Sequence, residues 1–257
     1  MRIAMGVEYD GSEFAGWQSQ VQERTVQGCL EAAIARVADH PLRVQCAGRT
    51  DTGVHALGQV IHFDSAAPRS MRSWLLGVNS NLPPDVAARW AMPVADDFHA
   101  RFAALRRSYR YVILNSTARS ALYRRRVCWN HRPLDRERMA EAAAFLTGVH
   151  DFSSYRALGC QAKSPVRTVY RLAVERHGEY VFIDVEANAF LHHMVRNIAG
   201  VLMTIGAGDR PPDWASEILH YRDRTLGGVT APPQGLFLMA VTYPPHFAIP
   251  GAGIALL

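Results

Sequence analysis

Residues 46–63 read CAGRTDTGVHALGQVIHF. The run HALGQVIHF, from His55 to Phe63, has the alternation of a β-strand, and LRVQCAG, from Leu42 to Gly48, has a second strand-like pattern. The Gly- and Thr-rich RTDTG between them therefore reads as the link between two strands. It carries an arginine and an aspartate two residues apart, Arg49 and Asp51, which puts a carboxylate at the end of a sheet.

Outward from that link, the periodicity predicts a strand over Ile3–Tyr9, a helix over Thr25–Ala38, the two strands just named, a helix over Ser70–Gly77 and a strand over Val86–Met92. That order is β-α-β-β-α-β. It recurs with one extra helix: a strand over Ser108–Leu114, a helix over Asp135–Leu146, strands over Val166–Glu175 and Tyr180–Ala187, helices over Phe190–Ile205 and Trp214–Tyr221, and a last strand over Leu236–Tyr243. Two split βαβ units in tandem predict an α+β fold of two ferredoxin-like halves. Their sheets are expected to join into one continuous, mainly antiparallel sheet with helices on one face and an open groove on the other. The halves are set at 1–105 and 106–245, with the seam between Phe98 and Arg107 and a tail at 246–257. The repeat is one of pattern only, and with no Ser-, Gly- or Pro-rich linker the halves are expected to pack together.

At 257 residues the chain can bury a full core. No apolar run approaches the roughly 18 residues of a membrane span, and the opening MRIAMGVEYD is already a strand pattern, so a soluble cytoplasmic protein without membrane contact is expected. Cys29, Cys46, Cys128 and Cys160 are scattered, with no CxxC pair, and imply neither a disulfide framework nor a zinc knuckle. His192 and His193 have no acidic partner at ligand spacing, so no metal is expected.

The net charge of +5 is modest, but its distribution is uneven. Between Asp97 and Asp135 lie 37 residues without an acid and with nine arginines, among them Arg106, Arg107, Arg110, Arg124, Arg125 and Arg126. Guanidinium groups fork onto phosphate oxygens and stack on bases, so these six are candidate RNA contacts. Against this, Lys163 is the only lysine, so arginine carries nearly every positive charge in the chain.

Seven stretches carry a resemblance in joint order: EYDGSEFAGWQSQ, CAGRTDTGVHALGQVIHF, NSNLPPDV, DDFHARFAALRRSYRY, DFSSYR, ANAFLHHMVRNIAG and GLFLMAV. With them the chain resembles the bacterial tRNA pseudouridine synthase A family over nearly its whole length, GRTDTGVHA being the most specific block. The resemblance implies a pseudouridine synthase fold with an RNA-binding groove. It also implies isomerisation of uridine to pseudouridine at positions 38, 39 and 40 of the tRNA anticodon stem-loop, with no cofactor, by a homodimer. It makes Asp51 the catalytic carboxylate, Tyr109 the ring that packs on the target base and Leu236 an apolar wall of the base pocket.

The chemistry explains the carboxylate. Breaking the bond between uracil N1 and ribose C1′ builds positive charge on the sugar, which an ionised aspartate can stabilise or attack. Mechanisms in the family also include removal of the 2′ proton, giving a glycal-like intermediate. The uridine must leave its stack to be worked on. A carboxylate in a partly dry pocket needs a positive neighbour. Arg196, in an otherwise apolar segment, and Arg49, two residues from Asp51, are both candidates; the resemblance favours Arg196 for that pair and leaves Arg49 for the RNA. Tyr111, two residues from Tyr109, shares its strand face and is the alternative stacking ring. Two other classes remain: a non-catalytic RNA-binding module, against which the RTD loop would have no purpose, and a metal-dependent nuclease, which needs clustered carboxylates.

Overall fold

A computed structural model of the chain describes residues 1–251. The part of the expected tail from 252 to 257 lies outside the described residues. The fold is α+β, with ten strands and five α-helices among the described residues, and none of those helices is long and apolar enough to cross a membrane. The described chain divides into two compact units: Met1–Arg106 together with the residues from Phe237 to Gly251, and Arg107–Leu236.

The first unit opens with β1 (Arg2–Tyr9), α1 (Val26–Ala38), β2 (Gln45–Cys46), β3 (His55–Asp64), α2 (Met71–Asn81) and β4 (Val86–Val94). β1 runs antiparallel to both neighbours, with Met5 opposite Ile61 of β3 and Ala91 of β4. Side-chain caps set the helix starts: the Thr25 hydroxyl accepts from Gly28 N–H (3.2 Å) and the Ser70 hydroxyl from Ser73 N–H (3.1 Å). Trp74 of α2 packs edge-on against Phe63 of β3, with 5.3 Å between ring centroids. On β1, a Cβ at Gly6 would stand 2.2 Å from the indole nitrogen of Trp90, so only glycine lets that ring lie across the strand.

Two elements of this unit differ from expectation. The strand predicted over Leu42–Gly48 shrinks to two residues, because Val44 N–H donates to Glu31 Oε1 of α1 (3.1 Å) instead of to a strand. The helix predicted to end at Gly77 runs on to Asn81. There the Asn79 side chain, by bonding both N–H and C=O of Ala88, ties the last turn to β4.

The second unit contains β5 (Arg106–Asn115), β6 (Cys128–Asn130), α3 (Arg136–Ala144), β7 (Gly148–Asp151), β8 (Val166–His177), β9 (Tyr180–Ala187), α4 (Met194–Gly206) and α5 (Trp214–Tyr221). Its strands pair antiparallel in the order β5-β9-β8-β7, while β6 lies parallel to β5. β6 and β7, of three and four residues, are too short to show a period-two signal and went unread in the sequence. α4 starts at Met194, four residues later than predicted, because His193 adopts a left-handed conformation (φ 62°) that an α-helix cannot include.

The final strand, β10 (Leu236–Thr242), was assigned by sequence to the second half. From Phe237 the described chain packs with the first unit instead. Phe237 and Leu238 pair in parallel with His55 and Ala56 of β3, and the Phe237 ring stacks on His55 at 4.6 Å. The Tyr243 hydroxyl donates to Ala100 C=O (2.6 Å). β10 and β2 thus share one edge of β3, β2 pairing near its far end at Ile61 and His62.

Candidate active site

The loop between β2 and β3 is tied down from three directions. From β3, the buried Gln59 donates through Nε2 to Gly48 C=O (2.6 Å) and accepts at Oε1 from Gly48 N–H (3.3 Å). From the N-terminal segment, the Tyr9 hydroxyl shares a 2.8 Å hydrogen bond with Thr50 Oγ1, and Trp17 N–H donates to Thr50 C=O (2.9 Å). Within the loop, Val54 N–H donates to Asp51 C=O (3.1 Å), closing a turn in which Gly53 takes a φ of 76°. Gly16 (φ 93°) lies against the same backbone: a Cβ there would stand 2.9 Å from Thr50 O and 3.1 Å from Thr52 N. Thr50 is consequently buried, Asp51 half-buried and Arg49 exposed. A carboxylate on so constrained a backbone can act as nucleophile or base with little reorganisation.

In the second unit, burial separates the two tyrosines that strand parity could not. Tyr111 is wholly buried, its hydroxyl donates to Pro232 C=O (2.8 Å), and burial raises its pKa well above the usual phenol value. Tyr109 keeps 8% of its surface exposed and meets Phe190 edge-on at 5.0 Å. Leu236 is buried at the start of β10.

Arg196 is half-buried in the first turn of α4, where a cation opposes the helix dipole. Its Nε donates to Ala231 C=O (2.8 Å), and Ala231 N–H donates to its carbonyl (3.0 Å). The guanidinium is therefore held by the chain ahead of β10.

The arginine block is divided by its surroundings. Arg107 is buried and donates to Asn188 C=O (2.9 Å). Arg110 forks onto Asp184, its cross-strand partner on β9, at 2.7 and 2.9 Å, and lies over the Phe182 ring. That hydrogen-bonded carboxylate raises the pKa of Arg110. Arg106, Arg124, Arg125 and Arg126 are exposed, the last three in a turn that Tyr123 C=O closes on Arg126 N–H (2.8 Å). The block has no acid in sequence, but the fold delivers one to Arg110 and another, Asp209, to Arg132 at 2.6 and 2.7 Å.

Sequence reading passed over the supports: Tyr9, Thr50 and Gln59 under the loop, and Asn197, Arg224 and Thr230 beside Arg196. Gly11 and Gly16 signal the first set, since EYDGSEFAGW spaces two glycines where the backbone must approach the loop. No local signal marks the second.

The family model described as tRNA pseudouridine synthase matches residues 5–103 and 142–244, which take in the Asp51 loop, Arg196 and Leu236. The chain belongs to the tRNA pseudouridine synthase family. It is similar to proteins named tRNA pseudouridine synthase A from Nitrosococcus oceani (60% identical, covering 97% of this chain and 96% of that one) and Alcanivorax borkumensis (59%, covering 97% and 94%). A solved structure of a Cbf5-Nop10-Gar1 complex aligns with 78% of this chain and 54% of its own at 12% identity and a TM-score of 0.32, a likeness too low to bear on the fold. Membership makes the chain an isomerase that acts on tRNA.

Proposed function

We propose that this chain converts uridine to pseudouridine at positions 38, 39 and 40 of the tRNA anticodon stem-loop, in the cytoplasm, as a homodimer and without a cofactor, with Asp51 acting at the ribose. The observation that carries this reading is the loop itself: Asp51 is half-buried on a backbone fixed by Gln59, Tyr9, Trp17 and Gly16. Such a carboxylate either bonds to C1′ as the N1–C1′ bond breaks or takes the 2′ proton. In both routes uracil turns and C5 bonds to C1′: in the first the Asp51–C1′ bond breaks as this bond forms, in the second Asp51 returns the proton to C2′, and in each C5 then gives up its proton while N1 takes one up, so the product is an isomer of the substrate.

Tyr109 stacks on the flipped base, Leu236 supplies an apolar wall and Arg196 supplies the cation that offsets the carboxylate. Arg49, Arg106 and the turn at Arg124–Arg126 meet phosphates, their exposure supporting this role. Arg107 and Arg110 are left out of the proposal, since burial and the bridge to Asp184 engage them within their own unit. The strand orders, β4-β1-β3 with β2 at its edge and β5-β9-β8, support two split βαβ units, and a groove formed where their sheets join is part of the proposal.

The test is Asp51→Asn with an unmodified tRNA transcript in chelator. Pseudouridine, mapped by carbodiimide, should appear at positions 38–40 with the parent protein and vanish with the variant, while tRNA binding stays within about threefold. Turnover by an Asn preparation free of deamidation removes Asp51 from the role. Binding alone by the parent favours the RNA-binding module, and strand scission the nuclease.

A further inference from the structure

Arg196 is held by a polar lattice that none of the preceding roles uses. Asn197, 2% exposed in the first turn of α4, donates through Nδ2 to Tyr155 C=O (2.7 Å). Its Oδ1 accepts from Thr230 Oγ1 (2.6 Å) and from Arg224 Nη2 (3.2 Å). Arg224 also donates to Thr230 Oγ1 (2.9 Å) and, through Nη1, to Gly228 C=O (2.9 Å). Thr230 is thereby pinned to the residue after Arg196, and its neighbour Ala231 makes the two bonds to Arg196 itself. One turn along, a Cβ at Gly200 would stand 1.8 Å from Val229 O, so only glycine admits the segment this close to the helix.

The acceptors around Arg224 are all neutral: a carbonyl, an amide oxygen and a hydroxyl. A cation placed to neutralise charge would face a carboxylate; a planar fork shared among three fixed acceptors sets angles instead. The same holds for Nε of Arg196. With Nε committed to Ala231 C=O, the plane of the guanidinium is fixed.

We infer that Thr230 and Arg224, acting with Asn197 through Ala231, are positioning residues for the Arg196 guanidinium during uridine isomerisation. The inference rests on the proposed role of Arg196 in the reaction. Misplacing a charged group by about 1 Å costs on the order of 100-fold in rate, while leaving contacts with the rest of a large substrate intact.

The experiment is single-turnover pseudouridine formation on unmodified tRNA at saturating enzyme, with the tRNA Kd and thermal midpoint measured in parallel. Thr230→Val keeps the shape but removes the shared hydroxyl, and is expected to slow the reaction by about 10- to 100-fold with Kd within about twofold. Thr230→Ser, which restores the hydroxyl, should recover most of the rate. If Thr230→Val does not fold, Arg224→Lys, which keeps the charge and loses the fork, should show the same split. On an Arg196→Lys background either change should add little further loss, because the group they position is already altered. A parent-like rate in Thr230→Val, a Ser variant as slow as Val, or equal losses in both backgrounds overturns the inference while leaving Arg196 its role. A parent-like rate in Arg196→Lys removes that role, and the inference with it.

Discussion

His62 illustrates how a single side chain couples burial to pH. It lies 4% exposed on β3, its Nδ1 accepts from Ala100 N–H (3.1 Å), and its ring meets those of Phe98 and His99. Burial first, then the positive charge of His99 and Arg2, push its pKa down to about 4, against the opposing pull of Asp64. The folded state thus binds this proton less readily than the unfolded chain. Stability from this group is full above about pH 6.5 and is lost as pH falls toward 4, a change on the order of 2–3 kcal/mol. His99, likewise lowered chiefly by burial, contributes in the same direction. His62→Asn offers an amide oxygen to Ala100 N–H without a titrating ring, so denaturant unfolding should show most of the slope between pH 6.5 and 4 removed. A variant with the parent slope would locate the titration elsewhere. Reading HALGQVIHF as a strand places His62 on a sheet face, but the donor it accepts from lies 38 residues away and is invisible to local pattern.

Among the elements, the turn at 120–126 and β5 show opposite fates for neighbouring arginines. β5 and β9 pair in a register that sets Arg110 directly across from Asp184, so the strand consumes that charge internally. The turn leaves Arg124, Arg125 and Arg126 exposed. Neutralising Arg124 and Arg125 as Gln should weaken tRNA binding and lower the slope of log K against log salt by roughly 0.7 to 0.9 per lost phosphate contact. Arg110→Gln should leave that slope unchanged and instead reduce stability through the stranded Asp184. Filter binding across a salt series separates the two, and an unchanged slope in the turn variant would return 124–126 to a solvated loop.

For the whole molecule, the chemistry demands that the target uridine leave its stack, and unpairing is cheapest for a mismatched base. Of the three proposed positions, 39 and 40 lie in the stem and 38 in the loop. Replacing the pairing partner of a stem uridine with one that cannot pair should therefore raise the single-turnover rate, or the affinity, at that position. The rate at position 38 should stay nearly constant. Quantified by carbodiimide mapping, equal rates for paired and mismatched stem uridines would show that extrusion does not limit the reaction.

Local pattern alone was enough for the α+β class and the order of all elements but β6 and β7, for the strand-loop-strand setting of Asp51 and, through seven motifs in joint order, for the family. These are local: period-two and 3.6-residue patterns, caps at Thr25, Ser70 and Asp135, and glycines where the backbone must turn or come close. The remaining features depend on contacts between distant parts of the chain. The tertiary structure gave β10 from Phe237 to the first unit, and delayed the start of the strand before the loop to Gln45, because Val44 is bonded to Glu31. It buried Tyr111 while leaving an edge of Tyr109, paired Arg110 with Asp184, and set Thr230 beside Asn197. The physical reason is common to all of these. Each depends on a hydrogen bond or a contact between residues distant in sequence, where a carbonyl, a carboxylate or a missing Cβ takes effect only once the fold brings its partner within about 3 Å.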